Sequence, residues 1–238
     1  MNKYTENWER FYQTTYKKLK KQSLWAVPAD SAVETDWPFF NKHFSAELPC
    51  LDVGCGTGEQ SRFLAHHYAQ VVGLEVSETA LEIARQNDDS NKLYFRHFDI
   101  CDKVNAAALH QEFGDCNLYI RGVLHQIKKE DRENMRASLQ ILAGKKGRIF
   151  INEVGSNIRD YLDNLGTRFS ALPAQMRMVL LANLAPLGLS QELLIEWFPQ
   201  TSFTILASGQ SALSTNLKLT DGTLLKIPSI YAVLENRS

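Results

Sequence analysis

Four cysteines in 238 residues are too few and too scattered for a disulfide framework. Cys50, Cys55, Cys101 and Cys116 include no Cys-x-x-Cys pair, and the histidines are not at zinc-ligand spacing to them. They read as free thiols in a reducing compartment, and no metal site is expected. Neither sign of charge is in excess: 26 Lys and Arg against 27 Asp and Glu leave a net charge of -1. Nothing there advertises a nucleic-acid or anionic-membrane partner. No apolar run approaches the ~20 residues of a membrane span. The first residues, Met1 to Glu6, lack the apolar core of a signal peptide. No internal repeat, low-complexity tract or linker marks a second domain. The expectation is one cytoplasmic domain over residues 1–238, with no membrane association and an oligomeric state the sequence leaves open.

What is present is organised around one stretch. Leu48, Cys50, Leu51 and Val53 suit a short buried strand. The chain then turns through Gly54, Gly56 and Gly58 into residues 59–68, which look helical. Strand, Gly-rich turn and helix in that order is the context in which such glycines carry meaning. They allow unusual dihedrals and let a ligand approach the backbone. A second apolar run, Gln70 to Glu75, ends in a carboxylate. Glu75 follows Gly54 at the distance where a nucleotide-binding βαβ unit puts the acid that bonds ribose hydroxyls.

Asp52-Val53-Gly54-Cys55-Gly56-Thr57-Gly58, with Gly73-Leu74-Glu75-Val76-Ser77, resembles motif I and the acidic second-strand motif of class I S-adenosylmethionine-dependent methyltransferases. The glycine spacing departs from the Gly-x-Gly-x-x-Gly of dinucleotide folds, which seat a pyrophosphate on a helix N-terminus. That disfavours a nicotinamide oxidoreductase. The resemblance covers roughly residues 45–155. It implies an α/β, Rossmann-like, seven-stranded and mostly parallel sheet with helices on both faces, an antiparallel last strand and an N-terminal helical cap. On this reading residues 1–45 are the cap, 46–155 the donor-binding core, 156–189 a helical substrate-side insertion, and 190–238 the C-terminal helix and strands.

The resemblance also implies site residues. Asp52, Gly54, Cys55, Gly56 and Gly58 would hold the amino-acid end of S-adenosyl-L-methionine, Glu75 and Val76 its ribose side, and Asp99 and Ile100 its adenine. Arg121 is placed in the donor site too. Arg121 and Glu153 are also candidates for orienting a polar acceptor, with Tyr12, Tyr16 and Arg159 behind them. His125, in the fourth-strand loop Arg121–Ile127, is the candidate general base, since imidazole titrates near neutral pH. The alternative is that it packs against the donor or bonds the loop backbone. Cys55 inside a glycine turn reads as a small buried residue. The loop lacks the Asn/Asp-Pro-Pro-Tyr signature used on exocyclic amino groups of nucleic acids.

The rest of the pattern follows in order. Residues 4–22 read as an amphipathic helix with Trp8, Phe11, Tyr12, Tyr16 and Leu19 on one face, and its lysines as a solvated end. Ser31-Ala32-Val33-Glu34 matches a capping box, and Pro38 is expected to break or restart the helix that follows. Ser77 is placed as the cap of a helix through Gln86, with Ala80, Leu81, Ile83 and Ala84 inward. Strands are expected at 92–98, 115–121, 148–154, 203–207 and 230–234, and helices at 103–113, 128–143 and 190–198. Asp221-Gly222 signals a hairpin. A helix opening at Pro173 is apolar almost all round, so core, partner chain or bound molecule must cover it. The functional expectation is methyl transfer to a small molecule by in-line displacement. The alternatives are a protein, peptide or carrier-bound acceptor, or a donor-binding regulatory subunit without catalysis.

Overall fold

The computed structural model describes residues 3–18, 23–88, 93–165 and 188–237. Its sheet is built from β1 (Cys50–Val53), β2 (Val71–Glu75), β3 (Leu93–His97), β4 (Asn117–Arg121), β5 (Arg148–Val154), β6 (Phe203–Lys218) and β7 (Leu224–Asn236). The order is β3-β2-β1-β4-β5-β7-β6. β1 pairs in parallel with both β2 and β4, and β4 in parallel with β5. β7 lies antiparallel between β5 and β6, so six strands share one direction and one opposes them. The helices are α1 (Lys3–Tyr12), α2 (Val33–Phe40), α3 (Glu59–Leu64), α4 (Glu78–Gln86), α5 (Lys103–Phe113), α6 (Arg132–Ala143), α7 (Ile158–Leu165) and α8 (Gln191–Trp197). This is the Rossmann-like, mostly parallel sheet expected from the motif order.

Successive strand residues point to opposite faces, and the core divides accordingly. Leu51, Val53, Leu118, Ile120, Ile149 and Ile151 pack on one side with Met135, Leu139 and Leu142 of α6 and Trp197 of α8. Cys50, Tyr119 and Phe150 pack on the other with Phe40, Phe44 and Leu64. β1, β2 and β4 therefore carry apolar residues on both faces, which is why they read as continuous runs rather than alternating ones. A third cluster sits beyond the carboxyl ends of the strands. There Phe11 and Tyr12 of α1 meet Leu213, Leu217, Leu225 and Ile227 of the β6–β7 hairpin.

Several local expectations are corrected. The first helix is α-helical only to Tyr12 and continues as a π-helix over Gln13–Lys18. Its extension through Leu19, Lys20 and Lys21 lies outside the described residues, as do Lys92 and the apolar helix opening at Pro173. The capping box does not form. α2 starts one residue later than it requires, with Ala32 at the cap position and no side-chain cap. The Val33 N–H donates instead to Gln60 Oε1 of α3 at 3.0 Å, so a tertiary partner replaces the local one. Pro38 sits inside α2 without ending it. The one carbonyl it leaves without an N–H belongs to exposed Glu34, where water can serve. α3 ends at Leu64 rather than Tyr68. In α4, Ser77 caps as expected by accepting from Ala80 N at 3.2 Å, while Thr79 rather than Ile83 joins the buried face.

The largest difference is at the C-terminal side. The short strands expected at 203–207 and 230–234 are the roots of one hairpin of 16 and 13 residues, turning at Asp221-Gly222. Its middle, Ser208-Gly209-Gln210-Ser211, has too little apolar content to read as strand. It is held by pairing to β7 rather than by burial, and a register shift lies between Ile205 and Ala207.

Phe40 is fully buried, with ring centroids 4.8 Å from Phe44, 5.5 Å from Tyr119 and 4.9 Å from Phe150. Phe40→Ala is expected to lower the unfolding free energy by about 3–5 kcal/mol, read as a shift of the urea midpoint at unchanged m-value.

Candidate active site

The site lies where open α/β sheets place ligands, outside the carboxyl ends of the strands. Gly54, Gly56 and Gly58 all take positive φ, at 77°, 56° and 81°. A Cβ on Gly54 would meet Val123 Cγ2 at 2.3 Å, and one on Gly56 would meet the Tyr12 hydroxyl at 2.8 Å. The turn therefore needs glycine for its dihedrals and for the close approach of Tyr12 and Val123.

Glu75, at the end of β2, is 7% exposed. One carboxylate oxygen accepts from Gly56 N at 3.1 Å. The other accepts from Val76 N at 2.7 Å and Ser77 N at 3.1 Å. Burial raises its pKa, and these three backbone N–H groups oppose that rise. Asp52, at the end of β1, accepts from Ser61 Oγ at 2.5 Å. Burial pushes it up to about 7, against the Ser61 hydrogen bond and with the help of nearby Glu75 and Glu59. Cys55 is buried and its thiol is raised well above its ordinary value by burial, so it is no nucleophile.

A cavity opens above these groups. Its floor comprises Asp52, Gly54, Cys55, Gly56, Glu75, Val76, Phe98 and Ile100. Tyr119, Arg121, Gly122 and Val123 line it from the β4 side, Glu59 and Gln60 from α3. Trp8, Tyr12, Ser23, Trp25 and Ala26 close it from the N-terminal segment. That segment is latched at several points. Glu9 of α1 accepts from Ser77 Oγ at 2.7 Å and from Thr79 N at 3.1 Å. Gln60 donates to Val27 O at 3.0 Å, and Asn216 of β6 donates to Ser23 O at 2.5 Å.

Of the residues singled out from sequence, Asp52, Gly54, Cys55, Gly56, Glu75, Val76, Ile100 and Arg121 come together in this cavity. Gly58 does not line it. It precedes α3, and a Cβ there would strike Phe95 at 2.7 Å. Asp99 accepts from Cys101 N at 2.9 Å and lines a shallower adjoining groove with Thr5, Glu9, Gln13 and His97. Val76 borders both spaces. Asp102, not Asp99, caps α5.

His125 does not line the cavity either. It is 4% exposed, and its Nδ1 lies 2.8 Å from Glu153 Oε2. Glu153, fully buried at the end of β5, also accepts from Val123 N and Leu124 N, both at 2.8 Å, and from His125 N at 3.3 Å. Both side chains are thus engaged in holding the β4 loop, and Glu153 has no face toward an acceptor. Tyr16 is tied to Ser23 N at 3.1 Å.

Sequence reasoning missed Trp25, Gln60, Tyr119 and Asp36. Asp36 is 1% exposed. It accepts from Tyr119 OH and Asn152 Nδ2, both at 2.7 Å, and pairs with Arg121 Nε at 3.4 Å. A signal existed: Asp36 lies four residues before Phe40, so a carboxylate sits on the apolar stripe of α2. Tyr119 shares the face of Arg121 by strand alternation.

The lining fits an S-adenosylmethionine-type ligand. Three carboxylates in it, Asp52, Glu59 and Glu75, outnumber the single cation Arg121. A ligand with a sulfonium and an ammonium suits that balance. Among the described residues no group of three His, Cys, Asp or Glu is placed to hold a metal ion. No helix among them is long and apolar enough to cross a membrane.

Asp52 carries a pH signature. It keeps its proton to about pH 7 in the folded protein, but to only 3.8 at its ordinary value. Between those values the folded state binds more protons than the unfolded, so stability falls as pH rises through the window. Asp52→Asn is expected to flatten that fall in melting curves between pH 4 and 7. An unchanged slope would show that Asp52 ionises normally.

Residues 50–147 match the model of a methyltransferase domain family. A crystal structure of an S-adenosylmethionine-dependent methyltransferase from Anabaena variabilis superposes with a TM-score of 0.92 at 33% identity, over 100% of this chain and 96% of that one. Among curated proteins, the methyltransferase GfsG of Streptomyces halstedii is 32% identical over 126 residues, 52% of this chain and 43% of that protein. A ubiquinone biosynthesis O-methyltransferase of Coxiella burnetii is 26% identical over 112 residues, 47% of this chain and 46% of that protein. The chain thus spans less than half the length of the curated relatives it matches. Agreement over the full length with the Anabaena structure, at that identity, places it in a family: the chain belongs to the class I S-adenosylmethionine-dependent methyltransferases.

Proposed function

We propose that the protein transfers the methyl group of S-adenosyl-L-methionine to a small-molecule acceptor held in the cavity above β1 and β4. The observation that carries this reading is the cavity itself: a glycine turn and Glu75 form its floor, and Trp8, Tyr12 and Trp25 roof it over. The aromatic roof favours a compact acceptor over a polypeptide or a duplex. The name of one curated relative, a ubiquinone biosynthesis O-methyltransferase, points the same way.

Asp52 and the backbone of Gly54 and Gly56 would meet the amino-acid end of the donor, Glu75 its ribose hydroxyls, and Val76 and Ile100 its adenine. The donor supplies an electrophilic methyl on sulfur, displaced in line by the acceptor. The chain's own contribution is to orient the two reactants and exclude water, which alone is worth roughly 7–11 kcal/mol of barrier. Tyr12 and the aromatic roof serve the second task. His125 serves the first indirectly: with Glu153 it fixes the loop that carries Gly122 and Val123 to the cavity wall.

Saturating S-adenosylmethionine or S-adenosylhomocysteine is expected to raise the melting temperature, by the equivalent of about 2.7 kcal/mol at a hundredfold excess over Kd. NAD and NADP should leave it unchanged; the reverse result would sink the reading. Glu75→Ala should weaken S-adenosylhomocysteine at least about tenfold in calorimetry, the scale of a lost charged hydrogen bond. His125→Ala should lower stability by about 1–3 kcal/mol, since it strips a buried partner from Glu153. It should leave the pH profile of turnover intact, whereas loss of the acid-side limb, where turnover falls as pH drops, would restore the imidazole as base.

A further inference from the structure

Arg121 is the residue at the cavity whose buried hydrogen-bonding capacity is left over. Its guanidinium carries five N–H donors, and its side chain is 8% exposed. Among the described residues it makes one hydrogen bond, from Nη2 to Ser214 O at 3.3 Å. Nε faces Asp36 across 3.4 Å as an ion pair but is buried without a hydrogen-bond partner. Asp36 has already committed one oxygen to Tyr119 and the other to Asn152. Buried donors left without acceptors are costly, and a planar guanidinium fork matches a carboxylate with two parallel hydrogen bonds.

We propose that Arg121 binds a carboxylate carried by the methyl acceptor, which makes the substrate class small carboxylic acids with an apolar or aromatic body. This rests on the methyl-transfer reading above and deepens it. Position separates the acceptor from the donor. Glu75 stands at the end of β2, on one side of β1. Arg121 stands at the end of β4 on the other side, level with Asn152 of β5. Ser214, its partner, belongs to the hairpin that covers that side. The roof offers the apolar body Trp8, Tyr12 and Trp25, and the β4 loop offers Val123.

The test is calorimetry on the whole chain saturated with S-adenosylhomocysteine, titrated with benzoate, phenylacetate and octanoate and with the primary amide of each. At least one acid should bind tenfold or more tightly than its amide. Arg121→Gln should abolish that preference and Arg121→Lys keep part of it. Should Arg121→Gln fail to fold around the orphaned Asp36, the Asp36→Asn/Arg121→Gln pair removes both charges together and should lose the preference too. No acid preferred over its amide, or a preference surviving in either glutamine variant, overturns the proposal. So does a tenfold loss of S-adenosylhomocysteine in Arg121→Gln with 5′-methylthioadenosine unaffected, since the carboxylate recognised is then the donor's own. If wild type binds no S-adenosylhomocysteine, it is the methyl-transfer reading that fails, and the acid–amide contrast in the protein alone still decides the role of Arg121.

Discussion

Two buried carboxylates hold the working edge of this sheet, and they do it in the same way. Glu75, ending β2, accepts from the backbone of the loop after β1. Glu153, ending β5, accepts from three successive backbone N–H groups of the loop after β4. β1 and β4 are the central pair, and their loops form the cavity wall. Each is gripped from its outer flank by a buried acid, Glu75 with one of its three backbone bonds and Glu153 with all three. A buried carboxylate that loses partners is strongly unfavourable, so the loops cannot drift without exposing that cost.

The polar groups above the edge follow from it. With the loops fixed, Asp52 and Tyr119 come level across β1 and β4, Arg121 and Asn152 across β4 and β5, all on the face covered by α2. Asp36 descends from that helix into the row and bonds three of its members. The same strand alternation that puts Leu118 and Ile120 in the opposite core puts Tyr119 and Arg121 here. Packing and site are two readings of one period.

This explains what the sequence disclosed. The strand–turn–helix unit, the acid at Glu75 and the succession of strands along the chain up to β5 were legible because they are local: a run of apolar residues, a glycine spacing, a carboxylate at a set distance. Ser77 could be placed as a cap for the same reason. The capping box at Ser31 misled because Gln60, far along the chain, supplies the acceptor instead. His125 looked like a base from its place in the loop, and only its partner across 28 residues shows where the ring is engaged. Gln60 and Trp25 owe their roles to contacts that no local pattern encodes, and the partners of Asp36 lie more than 80 residues away. The turn of the β6–β7 hairpin was legible at Asp221-Gly222, but its length escaped because its middle is held by backbone pairing, which leaves little hydrophobic trace.

The hairpin also sets a schedule. Asn216 bonds Ser23 across a separation of 193 residues, and its backbone N–H reaches Leu24 O. The roof of the cavity is therefore clasped by contacts between residues far apart along the chain. Such distant contacts are slow to form, since loop closure must precede any gain from them. The sheet through β5 can assemble while the clasp is still open, so the roof is set after the floor it covers.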